Sequence, residues 1–189
     1  MKFKEMEELK EKLKVFDPKK DDKCKLPNGS GNYIVVLKPA KCLPQKGNMP
    51  SPKLSKISIE NTDYEVIYTG ISSKSLQKRD YSQHFAGHAG KSTLRKSLGC
   101  LFGYQLIPRT AGDRGNKSKF GDGDEMELSR WMEENLLLLY YPNSGYDSLE
   151  TMLIETLNPP LNLQGNNNIV NSDFRKRLSD LRSSKNIKY

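Results

Sequence analysis

The chain alternates between helical and strand-like periodicity. Residues 2–15 set Met6, Leu9, Leu13 and the following Phe16 at helical spacing among alternating Lys and Glu. That pattern predicts an amphipathic helix docked on a core, ended by Asp17-Pro18. Residues 17–32 are rich in Lys, Asp, Pro and Gly and read as a loop. The β-branched run 33–37 predicts a central strand. Pro39, Pro44, Pro50 and Pro52 make the next connection long and irregular. Ile57-Ser58-Ile59-Glu60 alternates, Asn61-Thr62-Asp63 turns, and residues 65–69 return as a strand, a hairpin that delivers Tyr68 near Tyr33. Helices are predicted over 75–85, 92–102 (capped by Ser92 or Thr93), 124–135, 147–157 and 172–183, with a buried strand over 136–141. Gly87–Gly90 breaks the chain between the first two helices, 108–123 is a flexible basic loop, Asn158-Pro159-Pro160 stops the fourth helix, and 162–171 is an Asn/Gly-rich loop.

Bulk properties narrow the partner. With 189 residues the chain suits one domain, 1–189. A hydrophobic content of 35% and a mean hydropathy of −0.74 imply a small core with long polar loops. Lys and Arg number 31 against 23 Asp and Glu, a formal charge of +8 with pI near 9.3. That excess favours a polyanion, nucleic acid before an anionic membrane surface. The longest near-apolar run, 136–141, is far short of the roughly 20 residues of a membrane helix, and Met1-Lys2-Phe3-Lys4-Glu5 is no apolar signal region. Cys24, Cys42 and Cys100 form no CxxC pair, so neither a disulfide framework nor a zinc site is expected, and a cytoplasmic setting with reduced thiols is.

Several residues stand out chemically. On the 147–157 helix, Leu149, Leu153, Ile154 and Leu157 form the apolar stripe, with Glu150 on or beside it and Glu155 opposite. A carboxylate aimed at the core is costly unless paired or metal-bound. The competing reading is structural, since Asp147 and Glu150 match a helix N-terminal capping pattern. Arg79 follows a strand and Gly70 closely, a placement suited to a phosphate. His84 and His88 are the two histidines and the candidates for acid–base work near neutrality. Gly87-His88-Ala89-Gly90-Lys91-Ser92-Thr93 imitates a phosphate loop but has two residues where four are needed, so no nucleotide cofactor is expected. Asp122-Gly123-Asp124-Glu125 lacks the alternation of a calcium loop.

Taken in order, Gly31-Asn32-Tyr33, Tyr68-Thr69-Gly70, Leu76-Gln77-Lys78-Arg79, Glu150 followed by Leu153-Ile154, and Pro160 with Asn162 resemble the GIY-YIG endonuclease family. The two eponymous triplets depart only at their middle residues, and the matching core covers 31–163, between an N-terminal helix and loop (1–30) and a C-terminal loop and basic helix (164–189). Gly70 to Arg79 and Arg79 to His84 are each one residue longer than usual. Five α-helical residues would leave His84 about 140° from Arg79. The resemblance implies an α+β fold with a small central antiparallel sheet of about three strands flanked by helices. It also implies a magnesium- (or manganese-) dependent DNA endonuclease in which Glu150 is the metal ligand. Arg79 would neutralise the scissile phosphate, Tyr33 would act as general base, helped by Arg79, Lys78 or the metal or relaying its proton to His84, and Tyr68 would position phosphate or water. Lys78, Lys91, Arg95, Lys96, Arg109, Arg114, Lys117, Lys119 and Asn162 form the expected nucleic-acid-contacting set, Asn162 orienting the Glu150 region or contacting the backbone rather than reacting. A compact restriction- or defence-type enzyme on double-stranded DNA, acting as a homodimer, is the reading by family analogy. The rivals are a non-catalytic nucleic-acid-binding module on the same scaffold and an adaptor using the N-terminal helix.

Overall fold

The computed structural model describes residues 2–110, 117–183 and 186–188, without the side chains of Lys2, Phe3 and Glu5. Its centre is a five-stranded antiparallel sheet, ordered β1 (Lys14–Phe16), β7 (Leu136–Pro142), β2 (Gly31–Leu37), β4 (Thr62–Ser72), β3 (Ser55–Ile59). Five strands replace the expected three. The helix at the N-terminus, α1, stops at Lys12, and Lys14–Phe16 pairs with β7 as an edge strand.

Helices cover both faces, which is why β2 and β7 read as continuous apolar runs. Ile34, Val36 and Leu139 face Met6 and Leu9 of α1 and Leu153 and Leu157 of α4 (Tyr146–Leu157). Tyr33, Val35, Leu37 and Leu138 face the opposite layer. That layer holds a π-helix over Gln77–Phe85, α2 (Thr93–Phe102), α3 (Asp122–Asn135) and α5 (Ser172–Leu181). The predicted hairpin forms, with its turn at Glu60-Asn61 rather than at residues 61–63. Both turn residues are left-handed (φ 48° and 64°), as a two-residue hairpin requires. Within the expected basic loop, Ile107–Pro108 (β5) pairs with Ser118–Lys119 (β6), and α3 starts two residues early, at Asp122.

One irregularity aims a key side chain. Between β2 and β4, Val35 faces Tyr68 while Val36 faces Val66, leaving Ile67 as an extra residue. In an unbroken strand residues 66 and 68 share a face. Here Val66 enters the α1–α4 side and Tyr68 the other, beside Tyr33. The bulge performs the switch.

Candidate active site

The Tyr33 ring lies flat against the backbone of Gly70, its partner across β2 and β4. A methyl group at Gly70 would run into the Tyr33 hydroxyl, so the glycine of the second triplet makes room for the tyrosine of the first. Gly31 is equally constrained, by Tyr141 O and the Leu76 side chain. Asn32, the middle residue of the first triplet, donates to Tyr146 O (2.8 Å) and accepts from Asn143 (3.1 Å), pinning the start of α4 and with it Glu150.

The Tyr33 hydroxyl is the meeting point of two helix side chains. His84 Nε2 lies 2.7 Å from it, and Arg79 Nε donates to it at 3.4 Å. The five-residue spacing that separates these residues on an α-helix is accommodated because this segment is a π-helix. Closure by i→i+5 bonds lowers the turn per residue, so the fifth residue returns towards the first. The extra residue in the interval is absorbed as helical geometry.

His84 is fully buried, and its Nδ1 lies 2.6 Å from Ser92 Oγ, which also accepts from Arg95 N as the α2 cap. Burial first, then the Arg79 and Arg95 cations, hold the imidazole well below its ordinary pKa, so it is neutral. Tyr33 is also fully buried; burial, then Tyr68 and Asp80, push its phenol well above the usual value, with Arg79 opposing. Beyond Tyr33, the Arg79 guanidinium donates to Gln83 Oε1 (2.9 Å) and Lys91 O (3.4 Å). The Tyr68 and Tyr33 rings are 6.2 Å apart, and the Tyr68 hydroxyl lies 3.1 Å from Thr93 Oγ1.

Glu150 and Tyr68 line one open cleft of about 840 Å³, walled by α2, α4, α5 and the segment 161–165. β4 runs on past Ser55, the first residue of β3, so that from Ile67 onward β2 is its one strand neighbour among the described residues. Glu150 is half-buried, and no hydrogen bond or ion pair joins its carboxylate to a described residue. Burial, then Asp147, raise its pKa, and Arg79 opposes. The cap of α4 is Gly145, without a side-chain bond, so Glu150 is not spent on capping. Among the described residues no three His, Cys, Asp or Glu side chains converge on a metal-sized site. What Glu150 offers a cation is a partly desolvated carboxylate, a donor suited to an ion that keeps most of its water.

Two expected nucleic-acid contacts lie inside the protein. Arg95, fully buried, donates to Glu125 (2.8 and 3.1 Å) and to the carbonyls of His84 and Phe85 (2.9 and 3.1 Å). It is committed to fixing the end of the π-helix and cannot serve the surface. Asn162 is buried too, its side-chain amide exchanging two bonds with the backbone of Thr69 (2.8 and 2.9 Å). It takes the place of a strand neighbour on the free edge of β4 and so fixes Tyr68. Lys78, Lys91 and Lys117 are exposed, and Lys96 lines the cleft. His88, Lys91, Arg109 and Lys119 line a second cavity of about 390 Å³. Arg114 lies outside the described residues. The sequence reading names Ser92 only as a helix cap and misses its contact with His84, and it misses the roles of Asn32 and Glu125; these contacts are tertiary and carry no local signal.

A phenol, a guanidinium and a neutral imidazole gathered near a cleft carboxylate are groups suited to phosphate chemistry. The chain matches the GIY-YIG catalytic domain over residues 31–184, and it belongs to that family. The match runs past residue 163 to take in α5. Comparisons with curated proteins and with solved structures return no match. GIY-YIG domains are nuclease domains, which makes nucleic acid the substrate class.

Proposed function

We propose that the protein is a divalent-cation-dependent DNA endonuclease that hydrolyses phosphodiester bonds at the Glu150 cleft. The observation that carries this reading is the convergence of Arg79 and His84 on one phenol oxygen. Glu150 would hold a magnesium or manganese ion, leaving the other positions to water and a phosphate oxygen. A bound cation supplies charge neutralisation at the phosphate and the leaving oxygen. Arg79 contributes a second cation to the same phosphate. Two of its three present bonds are long, at 3.4 Å, and exchange readily for a charge-assisted one. Because Tyr33 is fully buried, Arg79 must turn onto the phosphate before water reaches the phenol. Tyr33 then accepts the proton of the attacking water as its own passes to His84 Nε2, with Ser92 holding the ring through Nδ1. Tyr68, fixed from behind by Asn162, orients the phosphate or the water. A restriction or defence role, double-stranded DNA as target and a homodimer to cut both strands follow the family analogy.

Cleavage of supercoiled plasmid and phage DNA with Mg²⁺ tests this, wild type against Glu150→Ala. Wild type is expected to nick or cut. Glu150→Ala should bind and lose at least about 10²–10³-fold in rate, the range seen on losing a charge-stabilising group. If neither protein cuts plain or modified DNA while both bind it at low salt, the chain is a non-catalytic binding module.

A further inference from the structure

Lys96 and Arg182 stand together on the wall of the Glu150 cleft, Lys96 from the first turn of α2 and Arg182 as the C-cap of α5. Neither forms an ion pair with a described residue. Arg182 Nη1 donates to Ser97 Oγ (3.1 Å), but its Nε is shielded from solvent and has no partner. Burial first, then Arg182, depress the Lys96 ammonium, and burial likewise depresses Arg182.

Two like charges drawn out of water into one cleft, without a carboxylate between them, are unfavourable. The carbonyl end of α5 compensates Arg182 in part, but Lys96 stands at the amide end of α2, where the helix dipole opposes a cation. The first turn of α2 contains no acidic residue. Asp180 lines the same cleft but forms no ion pair with either cation. The Tyr68 and Thr93 hydroxyls, 3.1 Å apart, open onto the same space. Neither cation is paired with an anion among the described residues.

We infer that Lys96, Arg182 and Thr93 form a second phosphate subsite in the Glu150 cleft that holds a non-scissile backbone phosphate of the bound nucleic acid. The anion chemistry stands on this wall alone, and its assignment to a nucleic acid rests on the nuclease reading. It gives α5, which contributes no motif residue, a part in binding. Held at two phosphates, the strand cannot pivot about the scissile one, so the subsite acts on positioning rather than on bond cleavage.

Lys96→Gln, Arg182→Gln and the double variant in the full chain test this. Duplex binding with Ca²⁺ is read by anisotropy against salt, cleavage kinetics with Mg²⁺, and inorganic phosphate by NMR titration. Each substitution should lower the slope of log K against log salt by about 0.9 and raise KM, with kcat at saturating DNA changed only a few-fold. Phosphate-induced shifts at Thr93 and Ser97 should vanish in the double variant. Lys96→Gln breaks no side-chain bond to a described residue, so it remains readable if Arg182→Gln perturbs folding. If wild type cuts DNA but slope, KM and phosphate shifts match in the variants, the subsite inference falls and the nuclease reading stands. If wild type does not cut but slope and shifts change as stated, the nuclease reading falls and the anion subsite stands.

Discussion

Asp80 sits beside Arg79 on the π-helix, fully buried, with neither carboxylate oxygen hydrogen-bonded to a described residue. Burial pushes its carboxyl well above the ordinary range, and Arg79 opposes only in part. A carboxyl whose folded-state pKa exceeds its unfolded value of about 3.9 stabilises fully below that value and loses the contribution as pH rises through the folded pKa. Asp80→Asn removes the titration and keeps the shape. It should raise stability at pH 7 by about 1–3 kcal/mol, the cost of an unsatisfied buried group, and leave stability at pH 4 nearly unchanged. Urea unfolding across that range reads both, and an equal or lower midpoint at pH 7 would contradict it. His84 works with the opposite sign. Its folded pKa is depressed, so its contribution is complete above about pH 6.5 and lost as pH falls below it. His84→Gln should therefore lose less stability than wild type between pH 6.5 and 5, whatever it does to cleavage. Both costs lie beside Arg79 and Tyr33, where a site can hold groups that folding alone would not choose.

The π-helix is the element that turns an irregular spacing into a working one. Deleting Ser82, which is exposed, shortens the Arg79-to-His84 interval to four residues, the interval that neighbours one another on an α-helix. The shortened segment should close with i→i+4 bonds, keep both side chains on Tyr33 and retain cleavage within about tenfold. Inserting an alanine after Ser82 instead makes the interval six, which neither helix type supports, and should abolish cleavage without unfolding the sheet. Loss of activity in the deletion, with an unchanged circular dichroism melt, would mean that the π geometry itself is required. This element also marks where the sequence stops being legible. Tyr33, Tyr68, Arg79 and Glu150 stand out because periodicity puts the two tyrosines on strands near Gly31 and Gly70, Arg79 on a helix shortly after Gly70, and Glu150 on or beside an apolar stripe. Their environment does not, because a π turn and a β-bulge are register events. Each depends on what the opposite face packs against, here the Phe85 and Arg95 side and the α1–α4 side. The same limit explains β1. Three residues with one buried side chain, Phe16, continue a helical spacing in sequence yet pair with β7.

At the scale of the whole molecule the net charge of +8 divides into two populations that sequence alone treats as one. Lys91, Arg109 and Lys119 line the cavity beside His88. Arg95, from the same stretch, is sealed against Glu125, which also accepts from Ala89 N (2.8 Å) and Phe120 N (3.1 Å). A polyanion responds to the first population and stability to the second. Replacing Lys91, Arg109 and Lys119 together by glutamine should lower the slope of log K against log salt by roughly 2.7, three phosphate contacts at about 0.9 each, equally for specific and unrelated duplexes. Loss of the Lys119–Asp122 pair should itself move the melting temperature little, since it is a surface contact with Asp122 exposed and such pairs contribute about 0–1 kcal/mol. Arg95→Gln leaves Glu125 buried without its cation and should cost about 3–5 kcal/mol, releasing the carbonyls of His84 and Phe85 as well. Where that variant is still folded, its salt slope should equal that of wild type. Salt-dependent anisotropy paired with thermal melts on the same two proteins separates the populations. Should the triple glutamine variant keep the wild-type slope, the His88 cavity lies off the path of the nucleic acid, and the binding face must be sought along Lys78 and the cleft.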